Sequence, residues 1–428
     1  MCSDSLTDRF LTHILHIRDC VTDNTWLQAR RCLLDYLSVY IGGSRCLNLT
    51  SDIPYSLRIG MAAHVLELDD GHRRGAVHVG ATVFSALMSV AEKENLDRQS
   101  FFLGAIVGYE ATVRLACAVQ PRNKLRGYHA TGTCGTVGAA LGIAAALHYN
   151  EEQMNTTLAA AVTSAAGVLE VQEDDSDLKP YNVGRAAMDA VAAAYIGRSG
   201  MKGPKDALGG KRGFLKVMTD DPRTEYLTDF DSKPLCIEQI YQKVYAACRH
   251  AHPAIEAALA LRDSVKIEEI ERIKVLAYKL AVAGHDHKEI ASISSAKMSI
   301  PFSVAVALIA GEAGQKAFTE EMVSNSAILS LAKKVEIVED EELTALSPAK
   351  RASIVTIYTA SGTFTKRVDY PKGEPENPLT MVELKAKFRE LAIYGGLTER
   401  ECNEVIDEVW KEDFDLKKIM NIVSKWNI

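Results

Sequence analysis

Residues 132–147 constrain the fold more than any other stretch of the chain. The run carries no charge and is dominated by Gly135, Gly138, Ala139, Ala140 and Gly142. Side chains this small let helix backbones approach closely, so the run is expected at the tightly packed centre of a helical domain. Residues 156–169 and 186–195 repeat the alanine-rich texture. None of these runs is a membrane span, which needs roughly 20 strongly apolar residues.

Around this centre the sequence predicts mostly helices. Residues 10–17, 26–41, 61–68, 83–93 and 99–116 have apolar positions at helical spacing. In the second of these, Leu33, Leu34, Leu37 and Ile41 share a face, and Gly42-Gly43 is expected to end it. Glu110 and Arg114 stand one turn apart, an ordinary helix pair worth a few tenths of a kcal/mol. The texture changes near residue 265. Residues 270–281 and 335–338 read as extended, and 352–359 with 363–369 as a hairpin around Ser361-Gly362. Helices are expected between them at 297–310 and 320–333. After Pro371-Lys372-Gly373-Glu374-Pro375 the chain returns to helix, opened by the capping boxes Thr380/Glu383 and Thr398/Glu401. The expected architecture is mainly α. A large all-helical domain spans 1–264 and 376–428, interrupted by a smaller α+β domain at 265–375.

Three polar interruptions break the helical body. The densest is 67–78, Glu-Leu-Asp-Asp-Gly-His-Arg-Arg-Gly-Ala-Val-His, with apolar helical sequence on both sides. The others, 127–133 and 177–184, also lie at the start of small-residue helices. Charge buried without partners costs several kcal/mol, so three such breaks together suggest a site built from helix ends. Helix N-termini offer free N–H groups and partial positive charge, which suits an anionic ligand. His78 and His129 supply groups that titrate near neutral pH. Lys179 and Arg185, with backbone donors near Asn182–Gly184, add positive charge. The pattern points to a carboxylate site with imidazole acid/base chemistry.

Other classes of function fit less well. The formal charge of −7 argues against a nucleic-acid footprint. The nine scattered cysteines contain no C-x-x-C pair, which fits free thiols in a reducing compartment. The N-terminus lacks the basic-then-apolar order of a signal peptide, so the cytoplasm is the expected location. The glycine turn 209–214 lacks the order of a phosphate loop. His64, Glu67, Asp69, Asp70, His72 and His78 form an alternative metal-ligand set, but they meet no known spacing, and Arg73 and Arg74 oppose a cation. No metal is expected there. His250-x-His252 and His285-Asp286-His287 are weaker histidine clusters. Cys134 and Cys248 lack a nucleophile signature.

The chain resembles the MmgE/PrpD family of 2-methylcitrate dehydratase, cis-aconitate decarboxylase and iminodisuccinate epimerases. The resemblance rests on ordered motifs along nearly the whole length: Leu33-Leu34-Asp35, Gly108-Tyr109-Glu110, His129-x-Thr-Gly, Lys179-Pro180, Gly210-x-x-Gly-Phe and His252-Pro253-Ala254-Ile255. It implies a large helical domain with an α+β lid, a homodimer, a small anionic carboxylate substrate and no cofactor. Neither nucleic acid nor membrane is an expected partner. It also implies that His78 and His129 are the active-site histidines, Asp69-Asp70 the acidic pair and Lys179 the substrate-binding lysine. Glu67, His72, Arg73, Arg185 and His252 complete the expected substrate-binding set.

Three departures stand out. Glu67 replaces an Asp, Gly71 replaces a Thr with one extra residue before His78, and Phe302 stands where the decarboxylase has tyrosine. They argue against cis-aconitate decarboxylation and weaken 2-methylcitrate dehydration. Proton abstraction beside a carboxylate remains the shared chemistry, ending in loss of a hydroxyl (a lyase) or in proton return on the opposite face (an epimerase). A metabolite-binding homodimer without activity is the non-enzymatic alternative.

Overall fold

The computed structural model describes residues 5–173, 176–230 and 234–423. They are mainly α-helical, with one four-stranded sheet. The chain divides into two compact units, one holding 1–173, 178–241 and 380–428, the other 174–177 and 242–379.

In the first unit the central helix is Ala130–Ala146, every residue of which is buried except Ala145. It packs on Arg98–Val119 and on Lys179–Gly197. The first contact depends on missing side chains: a Cβ on Gly142 would lie 2.6 Å from the Gly104 carbonyl oxygen, and one on Gly104 2.7 Å from that of Gly142. The uncharged run therefore does what its composition predicts, bringing backbones into contact. Lys179–Gly197 crosses Tyr55–Val65 in the same way, since a Cβ on Gly184 would meet the Leu57 carbonyl oxygen at 2.3 Å. Arg98–Val119 is long and apolar enough to cross a membrane by length and composition, and 94% of its most apolar window is buried.

Several expected boundaries shift for identifiable reasons. Gly42-Gly43 does not end its helix, which runs Asp23–Ser44. A Cβ on Gly43 would lie 1.9 Å from the Ala62 carbonyl oxygen, so this glycine serves a helix crossing. The helix expected at 156–169 is Glu151–Ser164, opened by an Asn150/Gln153 capping box, and the chain is extended by Ala165. The helix expected from 61 to 68 is Tyr55–Val65 and stops short of the acidic pair. Met381–Tyr394 and Glu399–Trp410 begin at the two expected capping boxes. The first packs on Asp23–Ser44 and brings Lys387 Nζ to 2.7 Å from both Asp35 Oδ1 and the Leu68 carbonyl oxygen.

In the second unit the strands are β1 (Ile270–Ala277), β2 (Val335–Glu339), β3 (Ser353–Thr359) and β4 (Gly362–Val368), in the order β2-β1-β3-β4. β1 runs parallel to β2 and antiparallel to β3, and β3–β4 is the hairpin, with Thr359 opposite Gly362. β3 alternates buried and half-buried residues, as a strand covered on one face does. The helix expected at 320–333 is two pieces, Glu320–Val323 and Ser326–Lys333, because the Asn325 side chain accepts from Ala327 and Ile328 N–H and starts a new helix.

Gly184→Ala is expected to lower stability by about 1–3 kcal/mol through this overpacking. Thermal unfolding of the variant beside the parent checks it, and an unchanged melting temperature would contradict the crossing described.

Candidate active site

The site grows from the C-terminal end of Tyr55–Val65. His64 occupies the last turn of that helix, and Glu67 follows in the left-handed region, φ 57°. A non-glycine residue pays about 1 kcal/mol or more for that conformation. It turns the chain so that Asp69 and Asp70 face inward, where both are buried. Residues 71–77 form a tight excursion: Gly71 pairs with Tyr241 and His72 with Val77 as antiparallel bridges. Gly71 is required by space, since a Cβ there would lie 2.5 Å from the Tyr241 hydroxyl. His78 then leads into Gly80–Ala91.

Asp69 organises the cluster. Its Oδ2 lies 2.8 Å from His64 Nδ1 and 3.1 Å from His78 Nδ1. Burial alone pushes this carboxyl up, but the charges and hydrogen bonds of His64 and His78 outweigh it and hold Asp69 well below the usual carboxylate range. The group is therefore an anion in the interior. Among the described residues, the buried Asp69 Oδ1 and His64 Nε2 have no hydrogen-bond partner. Orphaned buried polar atoms are rare in native interiors and mark places where another group is accommodated. His78 Nδ1 also lies 3.0 Å from the Asp70 carbonyl oxygen, and its backbone N–H donates to Thr131 Oγ1 at 3.1 Å.

His129 enters from a second direction as the N-cap residue of Ala130–Ala146. Its ring centroid is 6.0 Å from that of His64, and the His64 centroid is 4.7 Å from that of His78. Burial first, then the positive potentials of His64, Lys179 and His78, push His129 well below the usual histidine range, so it is neutral at pH 7. Its Nδ1 lies 3.5 Å from Asn182 Nδ2, whose other contact is the Val168 carbonyl oxygen.

The third element is Lys179–Gly197. Lys179 is its first residue and forms an ion pair with Glu67, which also lies 3.7 Å from His64 Nε2. Asn182–Gly184 lie within this helix rather than ahead of it, so the expected backbone donors there give way to the Asn182 side chain.

The structure thus brings together His78, His129, Asp69, Lys179 and Glu67, and adds His64 and Asn182. Asp70 has a different setting. Its Oδ1 accepts from Gly80 N–H at 2.8 Å and Val79 N–H at 3.3 Å, and its Oδ2 from the Tyr109 hydroxyl at 2.5 Å. It caps the start of Gly80–Ala91, and a Cβ on Gly80 would crowd it at 2.9 Å. Arg185 also faces elsewhere, donating to the Ser164, Gly132 and Ala166 carbonyl oxygens and pairing with Asp189. His72 Nδ1 accepts from Gly75 N–H at 3.1 Å, within its own turn, where Arg73 is half-buried. His252 belongs to the second unit, with Nε2 3.3 Å from the Ala247 carbonyl oxygen. Phe302, also there, is buried against Phe318. Glu110 exceeds an ordinary helix pair: it binds Arg114, His13 and the Cys236 N–H.

One donor atom each from His64, Asp69 and His78 lie within 4.8 Å of one another, so these three have the composition of a divalent-metal set. Both Nδ1 atoms meet the same carboxylate oxygen at ordinary hydrogen-bond distance, which the ion-and-imidazole arrangement accounts for on its own.

Two family models match the chain: the MmgE/PrpD N-terminal domain over residues 55–227 and the MmgE/PrpD C-terminal domain over 245–412. Among curated proteins, cis-aconitate decarboxylase of Homo sapiens is 24% identical over 352 residues, covering 77% of this chain and 70% of the relative. The Mus musculus protein of that name is 24% identical over 347 residues, with the same coverage.

The Asp70 carboxyl, pushed up to about 7 by burial, gives a signed prediction. The folded state holds this proton to higher pH than the unfolded chain, whose carboxyl titrates near 3.8. Its contribution to stability is complete below that value and is lost as pH rises toward about 7. Asp70→Asn lacks this titration. Urea unfolding between pH 4 and 8, on the order of one measurement per pH unit, is expected to show the parent losing stability relative to the variant as pH rises. Parallel profiles would contradict the assignment.

Proposed function

The chain belongs to the MmgE/PrpD family, and from that premise we propose a cofactor-independent lyase that abstracts a proton beside a carboxylate of a small di- or tricarboxylate. The observation that carries the proposal is the buried Asp69 anion shared by two imidazoles, with a neutral third imidazole and Lys179 in the same cluster.

The roles follow from the contacts. Lys179, the ammonium of the cluster, binds a substrate carboxylate, while Glu67 orients its ammonium and accepts from a substrate hydroxyl. His129 is neutral and able to take a proton without first losing one. His78 donates from Nδ1 to Asp69, so Nε2 is the ring atom that exchanges a proton with substrate. The anion behind it stabilises the imidazolium formed when Nε2 is protonated. One imidazole removes the α-proton, and negative charge develops on the adjacent carboxylate, opposite Lys179. The other imidazole, protonated, donates to a departing β-hydroxyl, giving an alkene and water. Such fixed charge is worth most where water is excluded.

A second outcome, epimerisation, rests on two imidazoles, His78 and His129, both lying within 6.0 Å of the His64 ring, centroid to centroid. The proton removed by one ring is then replaced from the other on the opposite face. Phe302 lacks the hydroxyl of the tyrosine expected in the decarboxylase, which favours dehydration or epimerisation over decarboxylation. The same proposal includes a homodimer and a cytoplasmic location. The described cysteines are all free, which supports a reducing compartment.

Proton exchange tests the chemistry. Chelator-treated protein in D2O is incubated with hydroxylated and imino di- and tricarboxylates and followed by NMR. Deuterium is expected beside a carboxylate, with an alkene marking the lyase and an inverted centre the epimerase. His129→Gln is expected to slow exchange by about a hundredfold or more, and Lys179→Ala to raise the substrate concentration required. Exchange at the parental rate in both variants would overturn the site.

A further inference from the structure

The second unit holds another group of donors that the proposed chemistry does not use. Cys248 and His250 stand just ahead of the His252–Leu261 helix, and His285 lies in the turn after Lys279–Val282. The Cys248 sulfur and one ring nitrogen from each histidine lie within 4.8 Å of one another. His250 is buried, the other two half-buried.

We propose that Cys248, His250 and His285 form a thiolate–imidazole site for a borderline divalent cation, Zn2+ being the natural occupant.

Four features of the geometry support it. First, Cys248 Sγ lies 3.7 Å from His285 Nε2. Tetrahedral zinc with usual Zn–S and Zn–N bond lengths requires about 3.6 Å between sulfur and nitrogen. Second, both rings are already bonded on their far side. His285 Nδ1 lies 3.0 Å from the Met298 carbonyl oxygen and donates to it, which fixes the tautomer with its lone pair on Nε2. His250 Nδ1 is hydrogen-bonded to the Tyr278 hydroxyl. A carbonyl or hydroxyl behind each ligating imidazole is the usual outer arrangement of zinc sites.

Third, one short segment anchors two of the three ligands. Cys248 N–H donates to the Lys297 carbonyl oxygen at 2.8 Å, and Ile300 N–H donates to the His285 carbonyl oxygen at 2.9 Å. Little ordering remains for binding to impose. Fourth, the local charge is balanced: Arg249, the residue between Cys248 and His250, is paired with Glu374. A soft sulfur with two imidazoles selects zinc-like ions over magnesium or calcium. Binding releases the Cys248 thiol proton to solvent, and three protein ligands leave a fourth position for water or an anion.

The test uses the full chain. One equivalent of Co2+ is expected to give a thiolate-to-cobalt charge-transfer band that Zn2+ abolishes. Cys248→Ser and His285→Gln are expected to lose the band and to weaken Zn2+ binding by more than about tenfold. Because a variant can fail to fold, alkylation of the parent protein, mapped by mass spectrometry, supplies a second measurement. Zn2+ is expected to slow modification of Cys248 but not of the exposed Cys20. Cobalt bound without the band, a band that survives Cys248→Ser, or unchanged Cys248 alkylation would each overturn the proposal. The first would direct attention to His64, Asp69 and His78, whose nitrogen and oxygen donors give no thiolate band.

Discussion

A carboxylate taken into the interior is the constraint on which the first unit depends. Asp69 is buried, and an unpaired anion there would cost several kcal/mol. Two imidazoles meet its Oδ2, and neither can leave without exposing the other to an uncompensated charge. That mutual dependence fixes His64 and His78 relative to one another. The ring of His78 is oriented from behind, by Asp69 and the Asp70 carbonyl oxygen, as the proposed acid or base role requires. His129 is tuned in the opposite sense, kept neutral by burial and by neighbouring positive charge. Two imidazoles in contrasting environments are what the proposed acid/base chemistry at one carbon requires.

The helices supply the precision. Tyr55–Val65 carries His64, and Lys179–Gly197 carries Lys179; they cross where Gly60 and Gly184 have no side chains to separate them. This close approach accompanies the Lys179–Glu67 ion pair and the unusual backbone at Glu67. Lys387, from the C-terminal part of the chain, secures the Leu68 carbonyl oxygen and Asp35 together. The acidic loop is thus tied at several points by elements far apart in sequence. Its positive φ at Glu67 persists because the surrounding bonds over-determine it.

Much of this was legible in the residues. The uncharged run 132–147 announced a close-packed centre, and the polar breaks announced residues that the structure gathers into one cluster, because neither composition has a cheap explanation inside a helical body. Capping boxes at Thr380 and Thr398 located helix starts correctly, since that chemistry is local. What could not be read was long-range. Gly42-Gly43 looks like a stop signal and is a crossing point, a distinction that depends on Ala62 in another helix. Asp70 and Asp69 are adjacent and chemically identical, yet one caps a helix with Tyr109 and the other binds two histidines. Arg185 looked like a ligand for an anion and instead ties carbonyl groups of neighbouring segments. His64 was visible only as one member of a metal-like cluster; its placement one turn before Glu67 was the available signal.

The central claim is that these imidazoles and Lys179 together receive an anionic carboxylate. The most direct measurement is the 15N spectrum of the histidine rings at neutral pH, with and without a small tricarboxylate. The account predicts a neutral ring for His129 in the free protein, ligand-induced shifts at His129 and His78, and loss of those shifts in Lys179→Ala. A His129 that is protonated at neutral pH, or ring signals that ignore the ligand while it binds, would contradict it.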